Sequence, residues 1–422
     1  MKKQLFLCAL AAIGSVQAMA QGLKDAYRDY WRMGVSVNQW EVAAERNAER
    51  EADRSSDAGQ AGNSSTPMSA EKNAGSRASS GTGANAGNFA VVEQHFDWLV
   101  AENCMKCETI HPKEGVYDFT LADQLVDLAR AKGMHVVGHC LVWHAQCAKW
   151  FFVDDDGNQV SAEVLKKRLR DHIFTILGHF RGRVEGWDVV NEAFNDDGSL
   201  RQSKFYEILG EDFIPLAFQY AHEADPTAEL YYNDYSMNNP AKCDGVVNFF
   251  RPLVAKGLPI HAIGMQGHMT LGDADYVSQY ERSIRAITSI GLKTQFTELD
   301  LSVLPSPWGF SGAEVSSDFE YRKKMDPYPD ALPASVQQRA DDFWVSFFEM
   351  LLPYKDSILR MGFWNVNDGN SWRNGFPIKG RTDYATLFDR QNQPKPAVQR
   401  LIDLVSPKPE AATRRKGRSP KR

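Results

Sequence analysis

Several things are missing from this chain, and each absence narrows what it can be. After the first twenty residues no stretch is long and apolar enough to cross a bilayer. No Gly-rich phosphate fingerprint follows the first strand-like run, which speaks against a doubly wound nucleotide-binding sheet. Basic charge is short overall: 48 Lys and Arg face 54 Asp and Glu, a net −6, so nucleic acid is not the expected partner. Cysteine is sparse. Cys8 lies in the leader, and Cys104, Cys107, Cys140, Cys147 and Cys243 remain, an odd number that leaves at least one free thiol in a monomer. Cys104-x-x-Cys107, with His111 and His144 nearby, invites a zinc site. No second Cys-x-x-Cys or His-x-His completes four ligands, so no metal is expected. A disulfide is compatible with an exported protein, with the partners left open.

The scarcest feature is local. Between Ser55 and Asn88, 21 of 34 residues are Gly, Ala or Ser and none is Val, Ile, Leu or aromatic. Such a segment buries too little surface to offset its ordering entropy, so residues 55–88 are expected to be a flexible insertion. Because it follows the first strand, it is expected to leave from the carboxyl end of that strand, as a tolerated insert or as a mobile flap.

The ends differ from the body. Met-Lys-Lys, an apolar run from Leu5 to Val16 and Ala18-Met19-Ala20 describe a signal peptide over residues 1–20, cleaved after Ala20. Export to the periplasm or the medium follows. Lys408–Arg422 holds seven Lys or Arg and one Glu, contributing +6, so the rest of the chain carries −12 (−6 less +6). Residues 405–422 are expected to be a basic, disordered tail.

What is present in abundance is aromatic: 10 Trp, 14 Tyr and 23 Phe, alongside 43% hydrophobic residues. Strand and helix signals alternate along the chain. Strands are expected at 32–38, 101–103, 134–142, 186–190, 229–233, 262–266, 293–298 and 358–364. Helices are expected at 89–99, 120–132, 162–180, 211–224, 241–256, 275–290, 335–352 and 395–404. Eight strand–helix repeats predict an α/β fold, a (β/α)8 TIM barrel forming a single domain over residues 21–404. In that fold the site lies at the carboxyl ends of the strands. The polar and aromatic residues at those ends are Glu102, Asn103, Lys106, His139, Trp143, His144, Asn191, Glu192, Asn233, Gln266, His268, Glu298 and Trp364.

Two carboxylates stand out, Glu192 after Gly186–Asn191 and Glu298 at the end of Lys293–Glu298. With many Trp rings, no phosphate loop and no metal cluster, the pair points to glycoside hydrolysis. The motifs Ala101-Glu102-Asn103-Cys104-Met105-Lys106, Gly138-His139-Cys140-Leu141-Val142-Trp143-His144, Trp187-Asp188-Val189-Val190-Asn191-Glu192, Gly264-Met265-Gln266-Gly267-His268, Thr297-Glu298-Leu299-Asp300 and Ser371-Trp372-Arg373 occur in that order. From about Gly22 to Leu404, insertion excepted, the chain resembles the glycoside hydrolase family 10 endo-β-1,4-xylanases.

The resemblance implies a cofactor-free, retaining enzyme acting on xylan, with Glu192 as acid/base and Glu298 as nucleophile. It implies that Asn191 binds the sugar 2-hydroxyl and that His268 orients Glu298. Glu102, Asn103, Lys106, His139 and Gln266 would bind glycone hydroxyls, and Trp143, Trp364 and Trp372 would wall the site. Asp188 and Asp300 would hold neighbouring groups, Lys106 could instead pair with Glu102, and Trp187 would be core. His172, His179 and His222 would be surface or packing residues. Cys140, Cys107, Asn365 and Asn370 depart from the family pattern without touching either Glu. The 304–333 segment, with Trp308, Phe310, Phe319 and Tyr321, is the candidate for tuning aglycone binding. A monomer is expected. The competing readings are a β-1,4-glucanase and a non-catalytic xylan-binding barrel.

Overall fold

Parallel strands pair in sequence order, and the last closes onto the first. They are β1 (Arg32–Val37), β2 (Trp98–Ala101), β3 (His135–Trp143), β4 (Gly186–Asn191), β5 (Glu229–Asp234), β6 (Ala262–Met265), β7 (His268–Thr270), β8 (Lys293–Ser302) and β9 (Ile358–Phe363). The computed structural model describes residues 21–60, 87–273, 275–306 and 324–406. Closure runs through β1 against β9, with Arg32 opposite Arg360, and through β6 against β8, with Ala262 opposite Lys293. All but β7 form the eight-stranded barrel, as expected.

These runs become barrel strands because they are apolar on both faces. β2, β4 and β6 are buried at every position, the signature of strands covered by side chains within and helices without. The interior is filled by Trp98, Val100, Val137, Tyr231 and Ala262, with Trp364 packed on them from the mouth. Two strand positions tolerate only glycine. A Cβ on Gly138 would fall 2.1 Å from the Trp187 ring, and one on Gly186 would fall 2.6 Å from the Tyr231 hydroxyl. Trp187 is buried core, as expected.

The outer helices dock by apolar stripes. Thr120–Ala131 buries Ala122, Leu125, Val126, Leu128 and Ala129. Ala162–Phe180 is capped by Ser161, whose hydroxyl accepts from the Val164 N–H. Pro240–Ala255 starts with Asn239 as cap and Pro at the first turn. Pro396–Val405 closes the bottom, where the Tyr27 hydroxyl donates to the Leu401 carbonyl at 2.7 Å. His172 is buried between its helix and β3, while His179 pairs with Asp123 at 2.8 Å.

Four expectations need correction. The helix expected to run to Leu99 ends at His95, because Trp98–Ala101 is claimed by pairing with β1 and β3. The β8 strand does not stop at Glu298. It runs on to Ser302 because the added strand β7 pairs with Asp300, Leu301 and Ser302. The Ser55–Asn88 stretch is helical over residues 55–60, the end of the helix Gln39–Gln60, and Asn88 is fully buried. Asn88 is tied there by hydrogen bonds: its amide donates to Glu41 and its Oδ1 accepts from Asn367 and Asn392. Finally, Gln39–Gln60 leads away from the catalytic face: Glu45 and Glu49 already reach Lys132, which precedes β3 at the opposite end of the barrel. Residues 61–86, residues 1–20, where a signal peptide is expected, and residues 407–422 lie outside the described residues, as do Trp308, Phe310, Phe319 and Tyr321.

Candidate active site

Strand ends β2, β3, β4, β5, β6, β8 and β9 converge on two carboxylates. Glu192 follows β4 with φ 57°, a left-handed conformation unusual for a non-glycine residue. Bonds on both sides hold it there. Its N–H donates to the Asn233 carbonyl at 2.9 Å, and its carbonyl accepts from Arg201 Nε at 3.1 Å. The bend turns the side chain into the mouth, where Oε2 accepts from Trp143 Nε1 at 2.9 Å and Oε1 from Gln266 Nε2 at 2.8 Å. A small cavity beside it is lined by Trp143, His144, Asn191, Glu192 and Ala193 among others.

Glu298 is buried and held differently. Its Oε1 accepts from Asn233 Nδ2 at 2.9 Å, and Oε2 lies 3.2 Å from His268 Nε2. His268 Nδ1 in turn lies 3.0 Å from Asp300 Oδ2, which also accepts from Trp372 Nε1 at 2.7 Å. Arg373 Nη2 completes the chain, 2.7 Å from Asp300 Oδ1. Burial alone would raise the Glu298 pKa. The His268 hydrogen bond, the imidazole charges of His139 and His268 and the Asn233 amide outweigh burial and hold the carboxyl below its usual range. Burial also opposes the His268 charge, but Asp300 and Glu298 push that imidazole up to about 9. Asp300, with Arg373 and His268 overcoming its burial, falls to about 2. The chain from Arg373 to Glu298 thus alternates in sign and keeps Glu298 an anion.

The remaining residues frame this pair. Asn233 Nδ2 reaches Asn191 Oδ1 at 3.0 Å as well as Glu298, and Thr297 donates to Asn233 Oδ1 at 2.7 Å. His139 donates from Nδ1 to buried Asp188 at 2.8 Å and meets Trp364 edge-on at 5.6 Å. Trp372 packs 4.9 Å from His268. Lys106 donates to Asn103 at 3.1 Å and to Gln146 at 2.9 Å, with its ammonium 4.8 Å above the Trp143 ring. Burial raises the Glu102 pKa, opposed by the Lys106 charge and by bonds from Asn365, Asn103 and Asn38.

The polar and aromatic residues picked out at the strand ends therefore lie at this mouth, with some partners unforeseen. Gln266, expected to bind sugar, is bonded to Glu192. Lys106 bonds amides rather than Glu102. Asn233, at a strand end, was recognisable by position, but its contact with Glu298 was not. Gln146 was missed: it sits in the loop after β3 at φ 44°. Asn365, noted only as a departure, has φ 75° and donates to Glu102 Oε2 at 3.0 Å. Asn tolerates that conformation better than other residues bearing a Cβ. No cluster of His, Cys, Asp and Glu suited to a metal occurs among the described residues.

A (β/α)8 barrel with two differently held glutamates and indole walls at its carboxyl mouth is the scaffold of a glycoside hydrolase. Residues 67–404 match the family model described as Glycosyl hydrolase family 10, and the chain belongs to that family. It is 48% identical over 313 residues to an endo-1,4-beta-xylanase A of Xylanibacter ruminicola, covering 74% of this chain and 85% of that one. A solved GH10 endoxylanase from a sugarcane soil metagenome superposes with TM-score 0.77 at 35% identity, over 92% of this chain and all of that one. A xylanase from Paenibacillus barcinonensis, solved with a conduramine derivative, gives 0.72 at 30% identity, over 91% and 99%.

Proposed function

We propose that this family 10 glycosidase works as an endo-1,4-β-xylanase in which Glu298 is the nucleophile and Glu192 the acid/base. The observation that carries the assignment is the asymmetry of the two sites. Glu298 is buried against an imidazolium and an amide that hold it ionised, fit to attack an anomeric carbon. Glu192 faces the mouth between an indole and an amide.

In the first step Glu192 protonates the departing glycosidic oxygen while Glu298 attacks from the opposite face, giving a glycosyl ester. In the second, Glu192 takes a proton from water, which displaces Glu298 with net retention. Such a double displacement asks for carboxyl groups roughly 5–5.5 Å apart. Asn191, beside Asn233, suits the 2-hydroxyl of the reacting sugar. Glu102, Asn103, Lys106 and His139 suit glycone hydroxyls. Trp143, Trp364 and Trp372 enclose the ring, leaving little room for a C6 hydroxymethyl group. The Gln266 amide helps to position Glu192. Export by the leader, to the periplasm or the medium, and action as a monomer belong to the same reading. No described helix is long and apolar enough to cross a membrane.

Reducing-sugar release from arabinoxylan and carboxymethyl cellulose, for the wild type beside Glu298→Ala, tests it. Short xylo-oligosaccharides from the wild type and none from the variant are expected. Preferential turnover of the cellulose would make it a glucanase. Activity surviving in the variant would move the nucleophile elsewhere. No turnover of either substrate by the wild type would favour a binding role.

A further inference from the structure

We propose that Cys107 and Cys147 are a disulfide-forming pair that clamps the loop carrying Lys106 to the loop carrying Gln146. The two sulfurs, forty positions apart in the chain, lie 3.6 Å from each other, with the Cys147 thiol donating to Cys107 Sγ. Among the described residues no other two cysteines are in such contact: Cys104, Cys140 and Cys243 are each buried separately.

The segments around the pair are already laced together. The Glu108 N–H donates to the Gln146 carbonyl at 2.9 Å, and Lys106 reaches the Gln146 side chain at the same distance. The Gln146 amide also spans to Asn103 and Glu108, each at 3.3 Å. A covalent link one residue along from both Lys106 and Gln146 would remove the freedom of these loops to part. It would not replace any of the polar contacts.

The chemistry suits the placement. Cys147 is half-buried, so a dissolved disulfide can reach it, whereas Cys107 lies beneath it. Hydrogen bonds from the Cys147 thiol and the Ala148 N–H lower the Cys107 pKa against the effect of burial, favouring its thiolate. Exchange needs an oxidant of the disulfide class, such as glutathione disulfide or an oxidised dithiol protein. Cys147, whose thiol is pushed well above its usual value by its bond to Cys107 and by burial, gives up its proton to solvent as it attacks the oxidant and forms a mixed disulfide, releasing one thiol. The Cys107 thiolate then attacks Cys147 Sγ and expels the second. Both protein sulfurs are oxidised by one electron each, and one oxidant disulfide is reduced to two thiols.

The test uses the full chain, incubated with glutathione disulfide or with dithiothreitol, then alkylated with iodoacetamide, digested and mapped by mass spectrometry. A Cys107–Cys147 linked peptide is expected only after oxidation. The oxidised form should melt higher by roughly 5 °C and revert on reduction. KM for xylohexaose should fall by roughly twofold to fivefold at unchanged kcat, because Lys106 is held in place. Glutathione retained on Cys147 without a cross-link would overturn the proposal, as would a cross-link that leaves both melting and KM unchanged. Cys147→Ser should lose both shifts. The wild-type comparison needs no variant, so a folding defect in Cys107→Ser would not obscure it. Only the KM arm rests on the xylanase reading. Failure of that reading shows as no turnover in either redox state, while cross-link and melting are read without substrate.

Discussion

His268 Nε2 stands 3.2 Å from Glu298 Oε2, and it is the only imidazole hydrogen-bonded to either central glutamate among the described residues. Its positive charge is sustained by Asp300 on the other side. His268→Asn should therefore raise the Glu298 pKa and move the acid limb of kcat/KM to higher pH. The folded pKa of His268 is raised from 6.5 to about 9. Its contribution to stability is therefore full below pH 6.5 and is lost as pH rises through about 9. Thermal melts from pH 6 to 10 should show that loss in the wild type and a flatter profile in the variant.

Glu192→Ala should lower kcat on xylan by roughly 10²–10⁴-fold, the usual contribution of a placed proton donor. Aryl xylosides with good leaving groups need no such proton to form the ester, so that step should be largely spared. A burst of aryl alcohol followed by slow turnover is the expected trace. Equal losses on both substrates, with no burst, would count against the acid role.

Trp143 does more than wall the mouth, since its indole N–H bonds Glu192 at 2.9 Å. Trp143→Phe keeps a ring but removes the donor. A hydrogen bond to a charged group contributes about 1.5–3 kcal/mol, so kcat/KM should drop roughly tenfold to a hundredfold. A variant with unaltered kcat/KM would show that the bond is incidental.

Asn365 separates backbone demand from side-chain contact. Asn365→Gly keeps φ 75° accessible but deletes the bond to Glu102 and the acceptor for the Trp372 N–H. KM for xylo-oligosaccharides should rise several-fold with kcat little changed. Asn365→Val should destabilise the fold by about 1–3 kcal/mol through backbone strain. Denaturant titration beside steady-state kinetics distinguishes the two effects.

Three buried imidazoles predict acid lability. Burial lowers His95 and His111 to about 4 and His172 to about 3. His172 Nε2 donates to the Leu141 carbonyl, so its Nδ1 must accept from His111 Nδ1 at 3.0 Å, and a third proton on the pair would fall on His111 Nε2, which is buried without an acceptor. Depressed folded values mean that this stability is present above pH 6.5 and is lost as pH falls through 4. Together the loss is at most on the order of 10 kcal/mol. A melting temperature that stayed constant from pH 7 to 4 would contradict it.

Much of this protein could be read from local pattern. The run Gly186–Asn191 and the alternation of strand and helix predicted a barrel, because apolar periodicity is set by neighbours within a few residues. Glu192 and Glu298 were visible because each interrupts or follows a buried strand with a charge that has to be used or paired.

The tertiary structure decided which partners those charges take. Gln266 and Glu192 are 74 positions apart, Trp372 and Asp300 are 72 apart, and Cys107 meets Cys147 across 40. Contacts over such separations depend on barrel closure and on where each loop lands, neither of which leaves a periodic trace. Strand β7 is the same lesson in backbone form. His268–Thr270 alone is too short to signal a strand, and it exists because the far end of β8 offers it hydrogen bonds. Local propensity chose the elements, and long-range packing chose which side chains would act together.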